Sequence, residues 1–249
     1  MKNAFSKGVL RSITHSLGRF LAIAVIAALG TGFYAGLRMT GPDMRLAADQ
    51  YFDATRMADL RVGSTLGLSD KSLDMLRDVE GVEDVMPARE VDVLATVEDV
   101  QYTMRVQSFD TAAARASDTS DGVHAVLDDD SYLNRPILVS GSWPEGPNEC
   151  VLMADVVMDG SVAAGDTVTV LEGTQDVDET LSTRAYTVTG FVRSSYYVSP
   201  TSLGTTSLGS GSLDQVMFVG DEGFASNAPY TEAVISVAGA ADEEAGSDA

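Results

Sequence analysis

Residues 20–37 (FLAIAVIAALGTGFYAGL) form an unbroken run without charge, whereas the rest of the chain mixes apolar and polar positions closely. As a helix the run spans about 27 Å at 1.5 Å per residue, near the thickness of bilayer hydrocarbon. Eight of its residues are Leu, Ile, Val or Phe, which together favour insertion by roughly 4 kcal/mol. The pattern predicts a transmembrane helix over 20–37. Upstream, Phe5, Val9, Ile13, Leu17 and Phe20 recur at helical spacing while Lys7, Arg11 and His15 line another face. This predicts a basic amphipathic arm over 1–19 on the inner membrane surface. Downstream, Ala47, Ala48, Tyr51 and Phe52 mark one side of a stalk helix over 38–58, with Gly41-Pro42 as a kinked join.

Beyond residue 58 the periodicity becomes that of an α+β domain. Residues 59–135 read as an α/β lobe. A short strand, Asp59 to Gly63, precedes a helix over Leu68 to Val79. Ser69 stands as its N-cap, Leu68 and Leu73 as a hydrophobic staple, Leu73, Leu76 and Val79 as its buried face, and Gly81 as its stop. Val82–Met86, Val91–Val97 and Gln101–Ser108 alternate as strands do, and 110–122 (DTAAARASDTSDG) reads as a polar surface loop. Residues 136–238 read as a β-rich lobe with strands at Pro136–Val139, Glu149–Met153, Thr167–Leu171, Ala185–Val192, Gln215–Val219 and Thr231–Val237. A flexible Ser/Gly/Thr loop is expected over 199–212, and a disordered acidic tail over 239–249.

Charge divides the chain at the same place. Residues 1–38 carry five basic residues and no acid, leaving eleven basic and all 37 acidic residues to the remainder, a net charge of −26. Four of the basic residues precede the apolar run, and the positive-inside bias puts the N-terminus in the cytoplasm and 39–249 outside the plasma membrane. A cleaved signal peptide fits less well, since Ala35 is preceded two positions earlier by Phe33 rather than a small residue. The acidic outer part is repelled by phosphate backbones, which argues against nucleic acid as a partner. Its ordinary meaning is solubility, and attraction of cationic ligands is the sharper reading. Ala24, Ala28, Gly32 and Gly36 form a small-residue stripe of the kind that admits another transmembrane helix closely.

Candidate chemistry is sparse. Cys150 is the single cysteine, so no intrachain disulfide forms, and the only histidines are His15 and His124. No nucleophile elbow or P-loop is present, and Asp128-Asp129-Asp130 lacks the spacing of a calcium loop. Trp143 beside Pro144 reads as a packed corner. No catalytic, cofactor-binding or metal residue is assigned, no cofactor is implied, and the chain is not expected to be an enzyme.

A set of local motifs nonetheless runs in order through the chain. It comprises Tyr51-Phe52-Asp53, residues 64–68 (STLGL), 76–85 (LRDVEGVEDV) with Pro87, and 141–144 (GSWP) with 149–152 (ECVL). It continues through 165–168 (GDTV), 186–192 (YTVTGFV), Ser195-Tyr196-Tyr197, 204–211 (GTTSLGSG) and Tyr230-Thr231-Glu232. In this order the chain resembles the start of MacB/FtsX-like ABC transporter permeases, with a MacB-like periplasmic core domain. The resemblance implies a non-catalytic permease subunit coupled to a separate ABC ATPase, working in export or mechanotransmission. Its implied partners are the lipid bilayer, other transmembrane helices of the permease, that ATPase and, as a possible arrangement, a second copy. Family members carry four or more transmembrane helices and this sequence shows one, so a fragment is expected. The alternative is a single-pass anchored module whose outer domain binds a ligand or partner.

Overall fold

The computed structural model describes residues 17–116, 132–156, 162–199 and 201–242. Most of the basic arm, His15, His124, Asp128–Asp130 and the tail from residue 243 lie outside them. The described residues divide into two units, residues 17–49 and residues 50–242.

The first unit is the greater part of helix α1, Leu17–Thr55, 39 residues or about 58 Å long. The helix runs through Pro42 without a break, where the sequence suggests a kinked join. Thr40 Oγ1 donates to the Gly36 carbonyl at 2.9 Å and Thr31 Oγ1 to the Ala27 carbonyl at 2.8 Å, so these two threonine hydroxyls are satisfied within the helix. Its large apolar side chains, from Leu17 through Leu46, are exposed; Ile26 and Phe33 are each 71% exposed. It is long and apolar enough to cross a membrane.

The second unit contains two sheets. In the smaller one, β10 (Tyr230–Val237) lies between β1 (Leu60–Leu68) and β2 (Val82–Ala88), antiparallel to both. Helix α2 (Asp70–Arg77) packs on β2. Ser69 caps it as the sequence predicts, its hydroxyl accepting from the Ser72 amide at 3.2 Å, and Leu73 is its buried residue. Two details differ from expectation. Val79 lies beyond the helix and is exposed. Strand β1 also continues past Gly63 to Leu68, because a register shift at the Ser64–Gly67 stretch lets Leu68 rejoin β10 opposite Tyr230.

The larger sheet joins β3 (Glu90–Val97), β4 (Val100–Phe109), β5 (Ile137–Gly141), β6 (Glu149–Met153), β7 (Thr167–Gly173), β8 (Ala185–Arg193) and β9 (Gln215–Gly220). The neighbour order is β5-β8-β6-β9-β4-β3-β7, and β7 also pairs with β8, so six strands close into a barrel. One edge of β8 is shared: residues 185–187 pair with β7 and residues 190–193 with β5. Closure requires close approach there. Gly141 has φ +83, and a Cβ on it would stand 2.3 Å from the Thr189 carbonyl oxygen.

Every second residue points into the barrel, the period that a strand imposes. Val91, Val93, Ala95 and Val97 come from β3, Tyr102, Met104 and Val106 from β4, Cys150 and Leu152 from β6. Val168 and Val170, Tyr186 and Val188, Met217 and Val219 complete the ring. A second core covers the outside of β6 and β9, where Val151, Met153, Val216 and Phe218 meet Phe109, Trp143, Tyr197, Leu203 and Leu213.

Three expectations are corrected here. The sheets do not divide at residue 135: the barrel takes β3 and β4 from before it, and the small sheet takes β10 from after it. Residues 111–116 are not loop but helix α3, Thr111–Ala116, capped by Asp110 Oδ1 with Ala114 fully buried. Within the 199–212 segment Leu203 is buried in the second core, while most of its described neighbours are exposed. At the tail, residues 240–242 form a 3₁₀ turn.

Candidate functional site

Of the residues weighed for chemistry, the structure describes Cys150 and Trp143, and both are packed in the interior. Cys150 is fully buried inside the barrel, and burial pushes its thiol far above the ordinary range, so it is a packing residue. Trp143 is buried, 5.8 Å from the Phe109 ring, as a packed corner should be. Among the described residues no group of three or more His, Cys, Asp or Glu is placed to hold a metal ion. His124 and Asp128–Asp130 lie outside the described residues.

The residues that do gather are others, in three adjoining places within the domain. The first is the clamp on the end of α1. Thr55 is fully buried, and the Arg135 and Asn134 amides donate to the Thr55 and Arg56 carbonyls, each at 2.8 Å. Asn134 Oδ1 accepts from the Ala58 amide at 2.9 Å, and Asp59 continues onto β10 through the Ile235 carbonyl. The last carbonyls of a helix have no partners of their own, and here the 132–136 segment supplies them.

The second is a charged junction between the small sheet and the barrel. Arg61 on β1 places its Nη2 2.7 Å from Glu90 Oε1 on β3 and 2.6 Å from Glu232 Oε2 on β10. Arg105 on β4 forks onto Asp92 at 2.6 and 3.0 Å. Tyr196 donates to Glu232 Oε1 at 2.5 Å, and Arg61 lies over the Tyr196 ring. Glu90 Oε2 accepts no hydrogen bond and stands 3.8 Å from Arg105 Nε. Glu232 is 1% exposed. Burial first, then the neighbouring Glu90 charge, push its carboxyl up to about 7, against the pull of Tyr196 and Arg61.

The third is a cleft of about 220 Å³ beside this junction. Met86, Phe109, Leu133 and Phe218 give it apolar walls, and Asp110, Asp221, Tyr132 and Tyr196 give it polar points. A neighbouring hollow of about 200 Å³ shares Phe109, Asp110 and Asp221 and adds Glu145 and Glu222. Burial raises the Asp221 carboxyl, while Arg89 at 3.1 Å opposes that shift. The Tyr132 carbonyl accepts from Arg135 Nε at 2.8 Å, so the cleft wall and the α1 clamp are one short stretch of chain.

Sequence reasoning missed all three places. A signal existed for the junction: Glu232 is a lone acid inside the apolar strand TEAVISV. The cleft left none, since Asp110, Tyr132 and Asp221 are brought together only by tertiary pairing.

No family model matches the sequence, and no curated protein matches it. Among solved structures, the extracellular domain of the noncanonic ABC-type transporter YknZ from Gram-positive bacteria is similar at 13% identity and a TM-score of 0.34. That likeness covers 71% of this chain and 76% of the other. With so little superposable backbone in common, neither fold nor role is transferred from it.

Proposed function

We propose that this chain is the anchor and extracytoplasmic part of a permease subunit of the MacB/FtsX type, in which a separate ATPase drives motion that an outer domain transmits. The observation that carries the reading is α1. It is one helix, apolar and exposed over its first part and clamped into the domain at its last turn. In water those exposed side chains would cost about 25 cal/mol per Å² of apolar surface, a cost that lipid removes. The Asn134 and Arg135 amides tie the last turn of the helix to the domain, a link that carries displacement without chemistry of its own. The ordered motifs from Tyr51 to Glu232 support the same family. In this reading the N-terminus is cytoplasmic, the Ala24–Gly36 stripe receives another transmembrane helix, and the chain has no catalytic role.

The native protein offers a clean topology test, because its single cysteine is buried. Leu66, 95% exposed, replaced as Leu66→Cys, labels with a membrane-impermeant maleimide in intact cells. Ser6→Cys labels only after permeabilisation, and affinity purification from the membrane of a native producer returns an ABC ATPase. Labelling of both cysteines from one side, or purification without an ATPase, overturns the reading. Hydrolase activity that disappears in His124→Ala would overturn its non-catalytic element.

A further inference from the structure

The charged junction between the small sheet and the barrel is short of one positive charge. Arg105 is taken up by its fork onto Asp92 at 2.6 and 3.0 Å. Glu90 on β3 and Glu232 on β10 are left to share Arg61, so two guanidiniums face three carboxyls. Among the described residues, the other groups around them are neutral or already matched. Tyr196 donates to Glu232, and Tyr197 donates to Gln107 at 2.9 Å. Toward β2, Asp84 meets Arg56 at 3.4 Å, and Arg89 is held by Asp221 and the Tyr230 ring. Toward β9, Asp214 accepts from the Thr103 amide at 2.7 Å. Residues 201–212, which approach Arg105 at Gly204, hold no titratable side chain. Glu90 Oε2 and Glu232 Oε2 are both buried without a hydrogen-bond partner among the described residues.

We propose that a proton on Glu232 latches the small sheet to the barrel, and that its loss lets the two part. Glu232 belongs to the small sheet and Glu90 to the barrel. A proton on Glu232 cancels the excess charge and turns its carboxyl into a donor, and Glu90 is the acceptor across the junction. Without the proton the same two groups repel each other where little water reaches, since Glu232 is 1% exposed. Arg61, with 43% of its side chain exposed, then faces both charges alone, and separation lets water solvate each of them. Burial and the Glu90 charge hold the closed-state carboxyl at about 7; once parted and wet it returns toward the ordinary value near 4.3. The proton therefore favours the closed form, and the closed-to-open ratio falls about ten-fold per pH unit between those values and levels above them. From pH 5 to pH 8 the fall is roughly 100-fold. Every residue of the latch lies between Arg61 and Glu232, so it stands or falls separately from whether α1 crosses a bilayer.

Spin labels at Leu66→Cys on β1 and Leu171→Cys on β7, both exposed positions, report the separation of the two sheets by pulsed dipolar spectroscopy on the full-length protein in detergent. Cys150 is buried and stays unlabelled. A single distance is expected at pH 5, and at pH 8 a second, longer one whose share has grown roughly 100-fold. Glu232→Gln keeps an acceptor for Tyr196 and supplies a permanent donor toward Glu90, so it should hold the short distance at both pH values. Glu90→Gln removes the repelling charge from the other side and should do the same, which keeps the test decisive if one variant misfolds. A reference pair within the barrel, Val139→Cys with Leu171→Cys, should give one distance throughout. The latch is overturned by a parent distance that ignores pH, by a pH-dependent change that persists in either glutamine variant, or by an equal change in the reference pair.

Discussion

Glu232 sits where a strand of valines and isoleucines would otherwise continue, and its carboxyl has little water to charge in. An unfolded glutamate titrates near 4.3, whereas the folded group is held at about 7. Between those values the native state keeps a proton that the unfolded state has released. The stabilisation is therefore complete below about pH 4.3 and is lost as pH rises toward 7. The melting temperature should fall between pH 5 and pH 8 by more than the remaining carboxylates explain, and Glu232→Gln should flatten that slope; equal slopes in both proteins would refute the assignment. Gly141 makes a steric point at the same scale. Gly141→Ala combines φ +83 with a Cβ 2.3 Å from a carbonyl oxygen, and should cost about 2 kcal/mol or more in chemical denaturation. The apolar neighbours of Glu232 flag it as unusual, but the partners of both residues lie far along the chain and cannot be read from local sequence.

Elements were more legible than residues. Ser69 followed by Leu73 announces α2, since capping and burial of one face are local rules. Ser69→Ala should destabilise the domain by about 1 kcal/mol, measurable by urea denaturation. Strands β3 and β4 follow from alternation, whereas β6 and β9, buried on both sides between the barrel and its outer core, read as short continuous apolar runs. Where local pattern and tertiary pairing disagree, pairing prevails: Ser64–Gly67 falls outside the strand expected over Asp59–Gly63 yet lies within β1. Polar neighbours hid α3, although Asp110 before TAAARA is a cap followed by strong helix formers. At the α1 clamp, Asn134 holds φ +51 and accepts from Ala58 N. Asn134→Ala removes that bond and keeps the strained backbone, so a loss of roughly 1–3 kcal/mol is expected, and amide exchange at Ala58 should rise well above that in the parent.

At the scale of the molecule the sequence conveyed the class and not the arrangement. An apolar helix followed by a sheet-rich α+β domain follows from periodicity alone. Barrel closure does not, because it depends on pairings such as Met104 with Gln215 and Val93 with Gly173, for which no local pattern speaks. The apolar run carries its own prediction: Ala28→Arg adds about 3 kcal/mol to an insertion worth roughly 4, so the variant should leave the membrane fraction, and unchanged fractionation would count against a spanning α1.

The placement of β10 has a consequence in time. β1 and β2 do not pair with each other; both wait for Tyr230–Val237. At synthesis rates of about 5–20 residues per second, that strand follows Ala88 after roughly 7–30 s. Throughout that interval two strand edges stand open on a chain already held at its N-terminal side, each a template for pairing with a neighbour's edge. Crowding of nascent copies, rather than the strength of the finished fold, is then what limits the yield of correctly built domains.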